Sequence, residues 1–363
     1  MTSELEPAVR GMRVGTVLVA GTILALLLFT LALAVFSLPA GAYAVFHGGL
    51  STQLSPSSLV YTYLWVGPAP LMIPYPVAFG GLFVLLLAIY AALITYTGLQ
   101  KTRPWQATKD AFTGGVGGLM KSPLFVVLIA IGFLNFTGVV ITSISQALLG
   151  SVGNPFSNAD PLLVFGSLTM APLREEVGFR VVLIGVVAFI LSAGRPFKTA
   201  LKALWRPSVL FEGAAVGGVA TAIFWAAFAG SAVTFGVCHV NCVGGSGGWT
   251  WAKFPYALWG GVVLGYLYVK YGLPAAILTH WGVDYLGTVY SYFGQSAFGI
   301  PANSATTEYV LQFLYDFDVI YLIGIASFVL VTYLSVKWLL ARQARPEAGF
   351  IDKGVETAPP SST

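Results

Sequence analysis

The stretch Leu173-Arg174-Glu175-Glu176-Val177-Gly178-Phe179-Arg180 places four ionisable side chains inside one of the longest apolar segments of the chain, Pro161 to Ala193. A charge in the middle of a spanning helix costs at least ~2.5–3.5 kcal/mol, so such groups face a partner, a cavity or a reaction. On a helix Glu176 and Arg180 share a face, whereas Glu175 points roughly 100° away from its neighbour. The Arg is therefore placed to neutralise one Glu and leave the other free for chemistry.

Around this stretch, the 363-residue chain is 57% hydrophobic and only 9% charged, against about 25% charged in soluble domains. The composition predicts an all-α, polytopic membrane helical bundle with about eight transmembrane helices. The expected spans run from Val14 to Leu38, Leu71 to Gly98, Pro123 to Leu149, Pro161 to Ala193, Val209 to Gly230, Phe254 to Val269, Ala275 to Phe293 and Val319 to Leu340. A long first apolar run argues for an uncleaved helix over a signal peptide. Alternate connections are basic. One carries Lys101, Arg103, Lys109 and Lys121, and another Arg195, Lys198, Lys202 and Arg206, while 47–70 and 150–160 contain no Lys or Arg and Lys253 is the exception. Positive-inside reasoning puts both termini in the cytoplasm. The net charge of +4 is spent on orientation, and no basic and aromatic patch points to nucleic acid. The 101–121 loop reads equally as an amphipathic surface segment or a basic linker.

The chain has three His. His280 lies about 9–10 Å inside the seventh span, with Asp284 at i+4 on the same face. Glu175 lies at a comparable depth in the fourth. A straight fifth helix from Val209 would carry His239 roughly 45 Å along its axis. The reading therefore predicts a break at Gly230-Ser231 and a broken or re-entrant fifth element that returns His239 toward Glu175.

Three motifs now stand in order: Glu175-Glu176-Val177-Gly178-Phe179-Arg180 (EExxxR), Phe235-Gly236-Val237-Cys238-His239 (FxxxH) and His280-Trp281-Gly282-Val283-Asp284 (HxxxN/D). Together they resemble the CAAX prenyl protease and bacteriocin-processing family of intramembrane endopeptidases, also called the ABI or type II CAAX protease family. The resemblance covers about Pro161 to Gly287. It implies a cavity open to the cytoplasm and cleavage of a membrane-associated or C-terminally lipidated peptide. Glu175 would be the general base on a water also held by His239. His280 and residue 284 would stabilise the oxyanion, with Glu176 and Arg180 as the supporting pair and Phe235 beside His239. The family often has Asn at 284; an ionised Asp284 cannot donate a hydrogen bond, so Asp284 is either protonated or only orients His280.

The chemistry agrees, since a buried Glu serves as general base near neutral pH and donors to an oxyanion supply ~2.7–4 kcal/mol. The organisation expected is 1–160 as tail and three accessory helices, 161–293 as the catalytic-type core, 294–340 as the final connection and eighth helix, and 341–363 as a disordered tail. No cofactor is expected; zinc on Glu175, His239 and His280 is the competing reading. Cys238 and Cys242 read as small apolar fillers, and Trp249, Trp251, Tyr256 and Trp259 as an outer interfacial belt. The expected partners are membrane lipid and a peptide or protein substrate, prenylated or not. Two other functions fit the same residues: an inactive family member acting in bacteriocin self-immunity or as a membrane scaffold, and a proton-coupled transporter with Glu175 and His239 as relay.

Overall fold

The computed structural model describes residues 5–343 apart from 48, 52, 101, 213–215, 242–247 and 299–317. Most of the connection expected at 295–318, residues 242–247 around Gly244 and Gly245, and the tail from 344 onward lie outside the described residues. The chain is an all-α polytopic bundle. Among the described residues, five helical stretches are long and apolar enough to cross a membrane: Val14–His47, Phe79–Gly98, Pro123–Leu149, Gly218–Asn241 and Leu322–Arg342. In order, the longer elements are α1 (Leu5–His47), a hairpin of β1 (Leu59–Val66) and β2 (Ala69–Ala78), α2 (Phe79–Gly98), α3 (Pro104–Gly114), α4 (Pro123–Leu149) and α5 (Pro161–Glu175). A π-helical segment (Glu176–Gly185) continues α5 into α6 (Val186–Leu191). Then come α7 (Phe197–Trp205), α8 (Gly218–Asn241), α9 (Phe254–Tyr271), α10 (Leu273–Phe298) and α11 (Asp318–Gln343). The α5–α6 run, α9 and α10 fill the places of the other three expected spans, and α5–α6 and α10 carry the charged residues and His280 that the apolar helices lack.

The start of α5 is written in Asp160-Pro161. The Asp160 carboxylate accepts from the Leu162 and Leu163 amides, which caps the free N–H groups of the first turn, and proline at N1 has no N–H to leave unpaired. Further along, Pro172 removes a donor inside α5, and four residues later the backbone enters the π register. Such widened turns are frequent at functional sites.

At the centre of the bundle is α10, buried on every side from Ala275 through Trp281 and packed against α1, α4, α5 and α9. An aromatic stack locks it in place: Trp281 lies 4.9 Å from Tyr90 and 5.0 Å from Tyr285, and Tyr285 lies 5.4 Å from Phe165. Each buried tyrosine hydroxyl finds a backbone carbonyl, Tyr285 on Ser37, Tyr290 on Leu33 and Tyr90 on Thr169. Buried phenol groups need such partners, and these three tie α1 to α10 and α2 to α5.

Three elements differ from the sequence reading. The second span begins at Phe79 rather than Leu71, because residues 59–78 form an antiparallel hairpin turning at Gly67, whose φ is +59°. The hairpin lies along α5 and its π continuation: the Thr62 hydroxyl donates to the Met170 sulfur at 2.9 Å, and Trp65 packs on Phe179. The fifth element is an unbroken helix through Gly230-Ser231 and starts at Gly218, not Val209. Pro207–Phe211 is a separate 3₁₀ turn. That shorter run, ~32 Å from Gly218 to His239 at 1.5 Å per residue, removes the need for a re-entrant fifth helix; the hairpin is the segment that turns back along the bundle. Residues 104–121 form α3 and a 3₁₀ turn, with Ala107 and Ala111 buried and Trp105 exposed, which is the amphipathic alternative.

Gly178 is the position where the hairpin meets the π segment. A Cβ there would stand 2.3 Å from the Trp65 Cβ and 2.8 Å from the Trp65 carbonyl. Gly178→Ala is expected to lower stability by about 1–3 kcal/mol, the range for overpacking, whereas Gly81→Ala, with nothing within 4 Å, leaves it unchanged or raised. Thermal unfolding of the purified protein in detergent checks both, and equal melting of Gly178→Ala and wild type contradicts the packing described.

Candidate active site

The π segment carries Glu176 and Arg180 with no solvent exposure. Arg180 Nε donates to Glu176 Oε2 at 3.0 Å, and its Nη1 donates to the Ser231 hydroxyl, also at 3.0 Å. Ser231 in turn donates to the Phe179 carbonyl at 2.7 Å. The other carboxylate oxygen, Glu176 Oε1, lies 2.9 Å from His280 Nδ1. One buried carboxylate is thereby shared between the guanidinium of its own helix and the imidazole of α10. Ser231 was read from the sequence as a break; instead it fastens α8 to the π segment.

His280 has its second ring nitrogen, Nε2, 3.3 Å from Asp284 Oδ2 and 3.9 Å from Glu175 Oε2. His239 is held by α8 itself, its Nδ1 2.9 Å from the Phe235 carbonyl four residues earlier. A carbonyl only accepts, so Nδ1 carries the proton there and Nε2 is left as an acceptor. Phe235 packs against all three groups: its ring centroid lies 4.7 Å from His239, 5.8 Å from His280 and 4.7 Å below the Arg180 guanidinium. The aromatic wall excludes water from the ion pair and leaves the polar edge of His239 toward the cavity.

Glu175 takes the other direction. Its Oε2 is buried without a hydrogen-bond partner, and the side chain lines a cavity of about 250 Å³ together with His239, Asp284, Arg174 and Lys253. Glu175, His239 and Asp284 thus reach one space, and His280 reaches it through its contacts with Glu175 and Asp284. A smaller adjoining cavity is lined by His239, His280, Asp284 and Lys253. Among the described residues, no group of three or more His, Cys, Asp and Glu side chains is arranged to hold a metal ion.

Two cations at the site were not singled out as site residues from the sequence. Arg174 is buried, its guanidinium 4.2 Å over the Tyr63 ring of the hairpin. The Lys253 ammonium sits 4.2 Å from the Trp249 ring and 4.6 Å from the Tyr256 ring. Burial pushes the Lys253 ammonium below its ordinary range, against the opposing pull of Asp284 and Glu175. The sequence signal for Lys253 was its place as the one Lys in an otherwise uncharged connection. Trp249 and Tyr256 therefore cap a lysine, and Trp259 donates to the Thr137 hydroxyl at 2.9 Å. Cys238 is disulfide-bonded, not an apolar filler; Cys242 lies outside the described residues.

Removing one partner of a fully buried pair leaves the other charge uncompensated, at a cost of about 3–5 kcal/mol. Arg180→Met is expected to lower unfolding stability by that amount, and pairing it with Glu176→Gln should recover part of the loss. An Arg180→Met protein as stable as wild type contradicts the shared-carboxylate arrangement.

Residues 157–286 match the family described as Type II CAAX prenyl endopeptidase Rce1-like. No curated protein and no solved structure matches the chain. The matched segment runs from the turn before α5 to the middle of α10 and contains Glu175, Glu176, Arg180, Phe235, His239, His280 and Asp284. The chain is an integral membrane protein whose residues 157–286 are similar to the type II CAAX prenyl endopeptidases of the Rce1-like kind.

Proposed function

We propose that the chain is a glutamate-type intramembrane endopeptidase in which Glu175 and His239 activate one water. The observation that carries this reading is the buried, unpartnered Oε2 of Glu175 in a cavity that His239 also lines. Glu175 takes a proton from the water, whose other hydrogen is donated to His239 Nε2, and the water oxygen bonds to the scissile carbonyl carbon. His280, with Nδ1 committed to Glu176, donates from Nε2 to the oxygen that becomes negative. Glu175 then returns the proton to the leaving nitrogen as the carbon–nitrogen bond breaks, so the acid and base roles fall to one carboxyl group. No metal enters this sequence of steps.

Asp284 has its Oδ2 within 3.3 Å of His280 Nε2. That contact favours the orienting role for Asp284 over donation to the oxyanion. Glu176 and Arg180 hold His280 in register from the opposite side, and Phe235 keeps the pair dry. The substrate is a peptide or protein embedded in the membrane or associated with it, as the family implies.

Removal of a general base costs typically 10²–10⁴-fold in rate. Glu175→Gln and His239→Ala are each expected to lose cleavage by about that factor while melting close to wild type. The measurement is turnover of prenylated and unprenylated reporter peptides by protein reconstituted in lipid vesicles. Retained turnover in a folded Glu175→Gln protein contradicts the assignment.

A further inference from the structure

A second cavity, of about 1160 Å³, lies apart from Glu175 and His239, between the start of the α1 span, the end of α3 and the later part of α11. The corner at the end of α3 joins its two long walls. Phe112 comes to 4.0 Å from where a Cβ on Gly21 of α1 would stand, and Leu334 of α11 to 3.4 Å from one on Gly117. Around that corner Ala20, Ala111, Leu119 and Leu330 are buried in one apolar cluster. Gly114 lines the cavity without a side chain, and a Cβ there would meet nothing within 4 Å.

The lining changes character along this groove. α11 presents Ala326, Val329, Leu330, Tyr333 and Lys337, a spacing of three and four that keeps all five on one face. That face is apolar up to Leu330 and polar from Tyr333. Thr16 and Thr113 are the other polar residues of the lining, which holds no Asp or Glu. Among the described residues Lys337 has no carboxylate partner, and Asp110 of the neighbouring α3 is taken by Lys121 at 2.7 Å. The polar end sits where the spans end: Lys337 is close to the finish of Leu322–Arg342 and Thr16 to the start of Val14–His47. Trp338, with the Arg342 guanidinium 5.5 Å over its ring, is exposed there, as is Trp105 of α3. Tryptophan and tyrosine collect at the headgroup level of a membrane. From Lys337 back to Ala326 the face runs roughly 16 Å at 1.5 Å per residue, about half of a ~30 Å hydrocarbon core.

We infer that this groove binds one anionic phospholipid, its phosphate on Lys337 and an acyl chain laid along Leu330, Val329 and Ala326 toward the middle of the bilayer. Val19 and Val329 are more than half exposed on helices apolar enough to span, so lipid rather than water covers them. The volume lies above the ~300–1,000 Å³ of ordinary small-molecule pockets and suits a chain-bearing ligand. A cation at the polar end, with no acid in the lining, selects the charge; basic pockets between spanning helices take anionic headgroups in this way. A lipid seated there touches α1, α3 and α11 together, and a ligand of the folded state stabilises it by mass action. The site is independent of the peptidase reading, and its occupancy is measured without cleavage.

The test uses the full chain purified in a non-ionic detergent. Phosphatidylglycerol and phosphatidylcholine with identical acyl chains are titrated in turn, and binding is followed by the rise in melting temperature and by the lipid retained in native mass spectrometry. Phosphatidylglycerol is expected to saturate at one molecule per chain and to raise the melting temperature more than phosphatidylcholine does. Lys337→Ala is expected to weaken that binding about fivefold, the usual weight of one lysine among headgroups, and Val329→Trp, which fills the apolar half, to abolish the difference between the two lipids. Both positions are exposed, so the variants fold. Lys198→Ala, an exposed lysine outside the groove, leaves binding as in the wild type. Equal binding of the two lipids marks an unselective lipid contact and overturns the proposal, as does undiminished phosphatidylglycerol binding by Lys337→Ala or an equal loss in Lys198→Ala. Glycerol 3-phosphate is the soluble control: a melting shift as large as that of the lipid assigns the groove to a free phosphate ester and overturns the lipid assignment.

Discussion

A single carboxylate, that of Glu176, is the constraint on which the rest of the structure depends. It is fully buried, bonded through one oxygen to Arg180 and through the other to His280. An ion buried this deeply is tolerable only when it is paired and hydrogen-bonded, and both carboxylate oxygens of Glu176 are. That requirement fixes three elements at once: the π segment that bears Glu176 and Arg180, α8 through Ser231 and Phe235, and α10 through His280. The neighbouring Glu175 has no such obligations. Its freedom follows from Arg180 and His280 being engaged with Glu176.

The surrounding bundle supports that arrangement by burying its polar backbone contacts in pairs. Tyrosine hydroxyls on α10 and α2 reach carbonyls of α1 and α5, and the Trp281–Tyr285 stack runs along the same helix that presents His280 and Asp284. Displacing α10 along its axis would break both aromatic stacking and hydrogen bonds, so the depth of His280 is set by contacts well away from the cavity. The hairpin does similar work from the other side, with Tyr63 under Arg174 and Trp65 against Gly178 and Phe179. Cations placed over aromatic faces are stabilised without a carboxylate, which leaves the Glu175 carboxylate uncommitted.

Much of this was legible in the residues. Charges set in an apolar run named the decisive helix, the i, i+4 spacing of Glu176 and Arg180 matched their ion pair, and Asp160-Pro161 marked where the helix starts. The hairpin was missed because Leu71 to Gly98 is apolar throughout, so hydropathy carries no mark at Phe79, where strand gives way to helix. The β-branched and aromatic run Leu59–Val66 followed by Gly67-Pro68 was the available signal. The fifth helix was misplaced because apolar residues begin at Val209, nine positions before the backbone becomes helical. That offset alone made His239 look too far away and suggested a break at a serine that is in fact a hydrogen-bonded tie. The link between Glu176 and His280 joins residues 104 apart, and no local pattern announces a contact of that range.

The central claim is that Glu175 and His239 act on one water molecule. A double-mutant cycle on turnover, comparing Glu175→Gln, His239→Ala and the two combined in folded protein, tests it most directly, because groups that work as a unit give strongly non-additive losses. The account predicts that the double variant is no slower than the worse single variant. Losses that multiply would mean that the two side chains act independently, and would contradict it.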